Sequence, residues 1–202
     1  MIRTLLRAPQ GAGEVAADAL RVLAATSIVV AGIGWGPLSG LSFVLVTGAM
    51  FLPRLLGVRP AFDIVFGVAS LAAAWSSVLD IYITVRWWDL PIHFLTNGIW
   101  AALAYLLLVR FGIVADAATL PRPAVSAALM TTALGLSLGV LWEMFEWFGH
   151  NFIDGEIYVG YTDSIGDLLI GGVGALLAGC SMRYLAARPG VAHDREPSPV
   201  VE

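Results

Sequence analysis

Ala101-Ala102-Leu103-Ala104-Tyr105-Leu106-Leu107-Leu108-Val109 is apolar at every position. A membrane β-strand would alternate apolar and polar residues over segments of about 10, so an uninterrupted run of this kind reads as helix. Extended outward, the run covers His93 to Val114, enough to cross a hydrocarbon core that needs roughly 20 apolar residues. Five further stretches have the same character: Leu20 to Leu38, Leu41 to Val58, Ala61 to Ile83, Ala124 to His150 and Ile165 to Ala186. The expected fold is all-α, a polytopic membrane protein built as a six-helix transmembrane bundle with short loops.

Composition agrees. Hydrophobic residues make up 58% of the 202 and charged residues only 13%, against about 25% charged in soluble domains. The expected organisation is a cytoplasmic N-terminal segment over residues 1–19, one six-span domain over 20–187 and a disordered cytoplasmic tail over 188–202, rich in proline and charge. The opening residues carry no apolar core and no cleavage site of signal-peptide type, so an uncleaved start is expected. Cys180 stands alone, which excludes a cysteine-based metal site, and reads as a small packing residue. The glycines Gly171, Gly172 and Gly174 lie within a span and follow no strand, so no nucleotide cradle is read from them and no nucleic-acid partner is expected.

All 11 basic residues are arginine. With the N-terminus in the cytoplasm, Arg86 alone falls outside and the other arginines fall on the cytoplasmic side, as the positive-inside rule requires. Both termini are then cytoplasmic. Asp80, Asp89, His93, Glu143, Glu146, His150, Asp163 and Asp167 go to the outer face. A carboxylate at a helix centre costs about 3 kcal/mol, so acids near spans tend to be paired, solvated or functional. The expectation is a polar, acidic site on the outer face and nothing comparable on the other.

Three short patterns form that site. Trp87-Trp88-Asp89-Leu90-Pro91-Ile92-His93-Phe94 opens the fourth span, and Asp89, His93 and Asn97 recur every four residues on one helix face. Asp89 also reads as an N-cap ahead of Pro91. Leu141-Trp142-Glu143-Met144-Phe145-Glu146-Trp147 ends the fifth span, and a Glu-x-x-Glu pair on a membrane helix calls for protonation, a cation or a metal to neutralise it. Tyr161-Thr162-Asp163-Ser164-Ile165-Gly166-Asp167-Leu168 enters the sixth. Asp163 suits a helix start, while Asp167 lies a full turn deeper than capping requires. Stripes of small residues, Gly135 and Gly139 on the fifth span and Gly171, Ala175 and Gly179 on the sixth, imply that these two helices pack face to face and converge on Glu143 and Asp167.

Carboxylates and an imidazole from three helices are the ligand set of helical-bundle metal sites, and such oxygen-rich ligation suits a divalent metal ion. Asp89, His93, Asp163 and Asp167 are the candidate metal ligands. Glu143 and Glu146 are candidate catalytic bases, and Asn97 and Tyr161 candidate substrate contacts. The loop from Asn151 to Ser164 is placed as a lid over the cluster.

These motifs, Asp89-x-x-x-His93-Phe94, Glu143-x-x-Glu146-Trp147 and Asp163-Ser164-x-x-Asp167-Leu168, resemble the YjdF-like family of bacterial integral membrane proteins over roughly Ile81 to Ala178. The resemblance implies the fold, the site location and the bacterial cytoplasmic (inner) membrane, but no assigned reaction. A more distant similarity to VanZ-like membrane proteins implies a cell-envelope context. Three functions follow from the residues: a metal-dependent enzyme acting on a lipid-linked or head-group substrate, a cation- or proton-coupled transporter, or a structural protein whose polar cluster fixes helix register. Membrane lipids are the only partners indicated.

Overall fold

A computed structural model describes residues 5–85, 87–155 and 157–185. Six helices among these residues are long and apolar enough to cross a membrane. They are α1 (Ala12–Gly34), α2 (Pro37–Ala49) continued by α3 (Phe51–Leu56), α4 (Pro60–Val78), α6 (Asp89–Arg110), α7 (Pro123–Phe152) and α8 (Tyr161–Cys180). A four-residue helix α5 (Ile81–Thr84) joins α4 to α6, and α9 (Met182–Leu185) follows α8. No strand occurs among the described residues. The expected tail, Arg86 and Glu156 lie outside them.

Local chemistry sets the helix ends. Proline opens α2, α4 and α7, where its missing N–H is unneeded and its fixed φ suits a first turn. The first span begins at Ala12, well before the Leu20 expected from hydropathy. The Glu14 carboxylate accepts the Gln10 N–H at 2.7 Å and pairs with Arg7 at 2.6 Å. That polar start extends the helix beyond its apolar stretch, into residues assigned above to a preceding segment. Likewise α6 begins at Asp89 and α8 at Tyr161, about one turn earlier than expected.

Two three-helix groups make the bundle. One contains α1, α2 and α4, the other α6, α7 and α8, and α4 lies against α6 to join them. The core is apolar and runs through the join, with Phe43, Met50, Phe66 and Leu103 among its most buried side chains. Large apolar side chains also cover the outside, Ile33 and Leu169 being 84% and 70% exposed. A surface of this kind is stable only in lipid. Cys180 is exposed on this surface rather than packed inside.

Proline shapes the second span. Pro53 cannot donate to the i−4 carbonyl, and the helix is interrupted at Met50, where α2 ends and α3 begins. The neighbouring Met50 carbonyl accepts two hydrogen bonds from Arg21 of α1, Nε at 3.0 Å and Nη2 at 2.8 Å. Arg21 is thereby buried, and Asp63 of α4 neutralises it through both carboxylate oxygens at 2.6 and 2.8 Å. Asp18 accepts from Arg21 and from Arg54, and Arg54 also donates to the Leu5 and Arg7 carbonyls. This ionic network sits at the end of the bundle opposite the acidic motifs. It qualifies the expectation of nothing on this face comparable to the acidic site: the arginines read as an orientation signal also hold three acids, Glu14, Asp18 and Asp63.

Candidate functional site

The far end of α4 carries the entry to the site. Beyond Val78 the chain turns through Asp80, whose φ of 54° is left-handed, a conformation Asp tolerates better than most residues. Two side chains then tie the connection back onto α4. The Tyr82 hydroxyl donates to the Ala73 carbonyl at 3.2 Å, and the Trp88 indole N–H donates to the Ser76 hydroxyl at 2.8 Å. Burial first, then the charges of Asp89 and Glu146, hold the Tyr82 phenol above its ordinary pKa, so it remains a neutral hydroxyl beside the acids.

With Trp88 anchored, Asp89 is the first residue of α6 rather than its N-cap, which is Trp88. Its carboxylate turns instead to His93, one helical turn on, with Oδ1 at 3.3 Å from Nε2. Asp167 arrives from α8. One ligand atom each from Asp89, His93 and Asp167 lies within 4.8 Å of the other two. His93 is 7% exposed and Asp167 only 2%. Asp167 Oδ2 has no hydrogen-bond partner in the protein. A buried carboxylate oxygen without a donor is costly, and native structures seldom leave one so.

The close approach that brings Asp167 to α6 comes from glycine. A Cβ on Gly174 would strike the Phe94 carbonyl oxygen, and one on Gly171 would strike the Asn97 side-chain amide. Gly98 of α6 faces the Gly174 carbonyl in turn, at 2.9 Å from an added Cβ. The small-residue face of α8 is therefore shared. Lower down it meets α7, Gly135 against Ala175 and Gly179 against Ala128, as expected. Higher up it also meets α6, so Asp167 comes together with Asp89 and His93, with Glu143 still within its electrostatic range.

Each remaining candidate has a place. Asp163 lies one turn outward from Asp167, in the first turn of α8, whose N-cap is Gly160. It is half-buried and within Coulombic range of Asp89, His93 and Glu143. Glu146 accepts the Trp142 indole N–H at 2.8 Å, and Asp89 and His93 fall within its electrostatic range. Glu143 is half-buried beside an apolar groove between α7 and α8. Asn97 is buried in the seam, its amide against Gly139 and Gly171, while Tyr161 is 86% exposed. Asp80 is exposed at the turn. His150 faces the α7–α8 connection, its Nδ1 2.6 Å from the Ile157 carbonyl oxygen, and Gly149 lets Ile157 pack on the end of α7. Sequence reasoning misses Tyr82, Ser76 and Trp88: a tryptophan at a span end reads as interfacial belt, and nothing in the pattern singles out Tyr82 or Ser76.

No curated protein and no solved structure matches the chain. The family described as predicted membrane protein, DUF2238, the same family as the YjdF-like proteins, matches residues 19–188. That match begins within α1, covers the five later membrane helices and includes every residue of the Asp89, His93 and Asp167 group. The chain belongs to the DUF2238 family of predicted membrane proteins.

Proposed function

We propose that Asp89, His93 and Asp167 hold a divalent metal ion, with Asp163 as a further ligand from the next turn of α8, and that the ion serves chemistry on a lipid-linked or head-group substrate. The observation that carries the reading is Asp167 Oδ2, buried and without a donor beside the His93–Asp89 pair. Ligand atoms about 2.1 Å from one ion stand roughly 3 Å apart, so the 3.3 Å separation of Asp89 and His93 is already a ligand spacing. A divalent ion that takes six ligands, as magnesium does, would keep coordination positions open beyond these four, as catalytic sites do.

A bound ion of this kind lowers the pKa of a coordinated water or polarises a phosphoryl oxygen. Glu146, within electrostatic reach of the triad, would take the proton, and Glu143 would face the substrate. Tyr161, exposed at the head of α8, stands where a head group would enter, and Asn97 fixes the seam beneath the site. The positive-inside rule supports an outward-facing site in a bacterial cytoplasmic membrane, because Arg21, Arg54, Arg59, Arg110, Arg122 and Arg183 all lie toward the other end.

Elemental analysis of the detergent-purified protein tests the proposal. Near-stoichiometric divalent metal in the wild type, lost in both His93→Ala and Asp167→Asn at equal folded yield, is the expected result. A well-folded wild type that binds no metal after reloading with manganese or zinc would overturn it.

A further inference from the structure

Asp89, His93 and Asp167 stand on α6 and α8, and the first three-helix group supplies none of the three. One side chain of that group nevertheless reaches the entry of α6. Ser76 of α4 is 2% exposed, and its hydroxyl accepts the Trp88 indole N–H at 2.8 Å. Trp88 is the N-cap residue of α6, immediately ahead of Asp89. An indole N–H only donates, so the Ser76 oxygen is its acceptor and the Ser76 proton is left for a second partner. The Tyr82 oxygen lies within its hydrogen-bonding reach, and Tyr82 donates onward to the Ala73 carbonyl at 3.2 Å.

Asp89 is the member of the triad that most needs such a tether. Its side chain is 24% exposed against 9% for His93, and it lies in the first turn of α6, where no preceding helical turn holds the backbone. The Trp88 N–H bonds the Val85 carbonyl at 2.8 Å, a local turn that fixes Trp88 to its own connection and not to α4. The indole bond to Ser76 adds the reference to α4. A bond of the same kind starts one residue away, where the Trp75 indole N–H donates to the Ser27 hydroxyl of α1 at 3.1 Å. Neither Trp75 nor Ser27 adjoins a member of the triad in sequence, which makes that bond a matched reference.

We infer that Ser76 is a positioning residue of the metal site: its hydroxyl holds the Trp88 indole and thereby keeps the Asp89 carboxylate on His93. The inference rests on the function proposed above. Hydrogen-bond partners behind metal ligands are worth about 10- to 100-fold in affinity, and because Ser76 acts through one intervening residue its effect falls at the lower end, about tenfold.

The test is calorimetric titration of the detergent-purified full chain with manganese and with zinc, the tighter-bound ion then being used for the variants. Ser76→Ala should weaken binding about tenfold without changing its stoichiometry, and Ser76→Thr, which keeps the hydroxyl, should restore it. Ser27→Ala loses a comparable bond and should leave the affinity unchanged. In an Asp89→Asn background Ser76→Ala should have no further effect, because the ligand it positions is already impaired. Should Ser76→Ala fold poorly, Trp88→Phe breaks the same bond from the other side. Unchanged affinity in Ser76→Ala and Trp88→Phe, equal weakening by Ser27→Ala, or an undiminished effect in the Asp89→Asn background would overturn the inference and leave the metal site standing. A folded wild type that binds neither ion overturns the metal reading and this inference with it.

Discussion

Gly174→Ala tests whether the approach of α6 and α8 makes the site. The added methyl meets the Phe94 carbonyl oxygen, its carbonyl carbon at 2.9 Å and its Cα at 3.2 Å, all backbone atoms with no flexible end to give way. The two helices must therefore part by on the order of 1 Å to restore ordinary contact. Gly48→Ala is the matched control, since nothing lies within 4 Å of its new Cβ. Both substitutions sit in membrane helices and share the helix-propensity gain of about 0.5–1 kcal/mol, which cancels between them. What remains is overpacking, about 1–3 kcal/mol, and the rigid backbone target puts Gly174→Ala near 3 kcal/mol below the control. Asp167 is two turns away, roughly 10 Å along the same helix, so the separation also loosens its approach to His93 and lowers metal affinity about tenfold. Unfolding by dodecyl sulfate titration in mixed micelles, followed by circular dichroism, reads the stability, and manganese titration reads the site. Equal stability and equal affinity in the two variants would refute the claim that glycine-mediated contact assembles the site.

Other parts of the fold give further expectations. Arg21→Met leaves Asp63 buried without its partner and should cost about 3–5 kcal/mol in the same titration, whereas Arg21→Met with Asp63→Leu should recover most of it; metal content should not change in the double variant. Trp88→Phe removes the donor to Ser76 and should cost about 1 kcal/mol, with a measurable loss of metal affinity because Trp88 precedes Asp89. Tyr82, whose pKa is raised by burial and by Asp89 and Glu146, should stay protonated when ordinary tyrosines ionise near pH 10. The unfolded chain then releases that proton first, so the Tyr82 contribution to stability is fully present below about pH 10 and declines above it. Ultraviolet titration of the wild type against Tyr82→Phe checks this, and a full-amplitude difference between them at pH 10 would contradict it. His150→Ala should release Ile157 and speed limited proteolysis of the 153–160 connection several-fold without altering metal content.

The bundle was legible because membrane helices need only length and apolar continuity, and runs such as Ala101 to Val109 supply both. Helix starts were misplaced where polar side chains extend a helix beyond its apolar stretch, as Glu14 does for α1 and Asp89 for α6. Asp167 stood out from sequence because it lies a turn past any capping role. Its partners were half legible: Asp89 and His93 share a face by spacing, but which helix α8 turns that face toward depends on Gly171 and Gly174 fitting against Asn97 and Phe94, a three-dimensional fit no linear pattern carries. The Arg21–Asp63 pair was hidden for another reason. Charge counting assigns an arginine to a membrane side without saying what it bonds, and Asp63, in the first turn after Pro60, reads as an ordinary helix-start acid.

The contrast between the two polar ends bears most directly on function. At one end Arg21, Arg54 and Arg7 satisfy Asp18, Asp63 and Glu14 with charge-assisted hydrogen bonds at 2.5–3.0 Å, and the chain neutralises itself. At the other end Asp89, Glu143, Glu146, Asp163 and Asp167 gather around one histidine, and the most buried of them keeps an oxygen without a donor. Among the described residues, the fold that carries Arg21 to Asp63 brings no arginine to Asp167. That difference supports the proposed divalent ion on Asp89, His93 and Asp167, whose charge would offset carboxylates that the described residues leave without a donor.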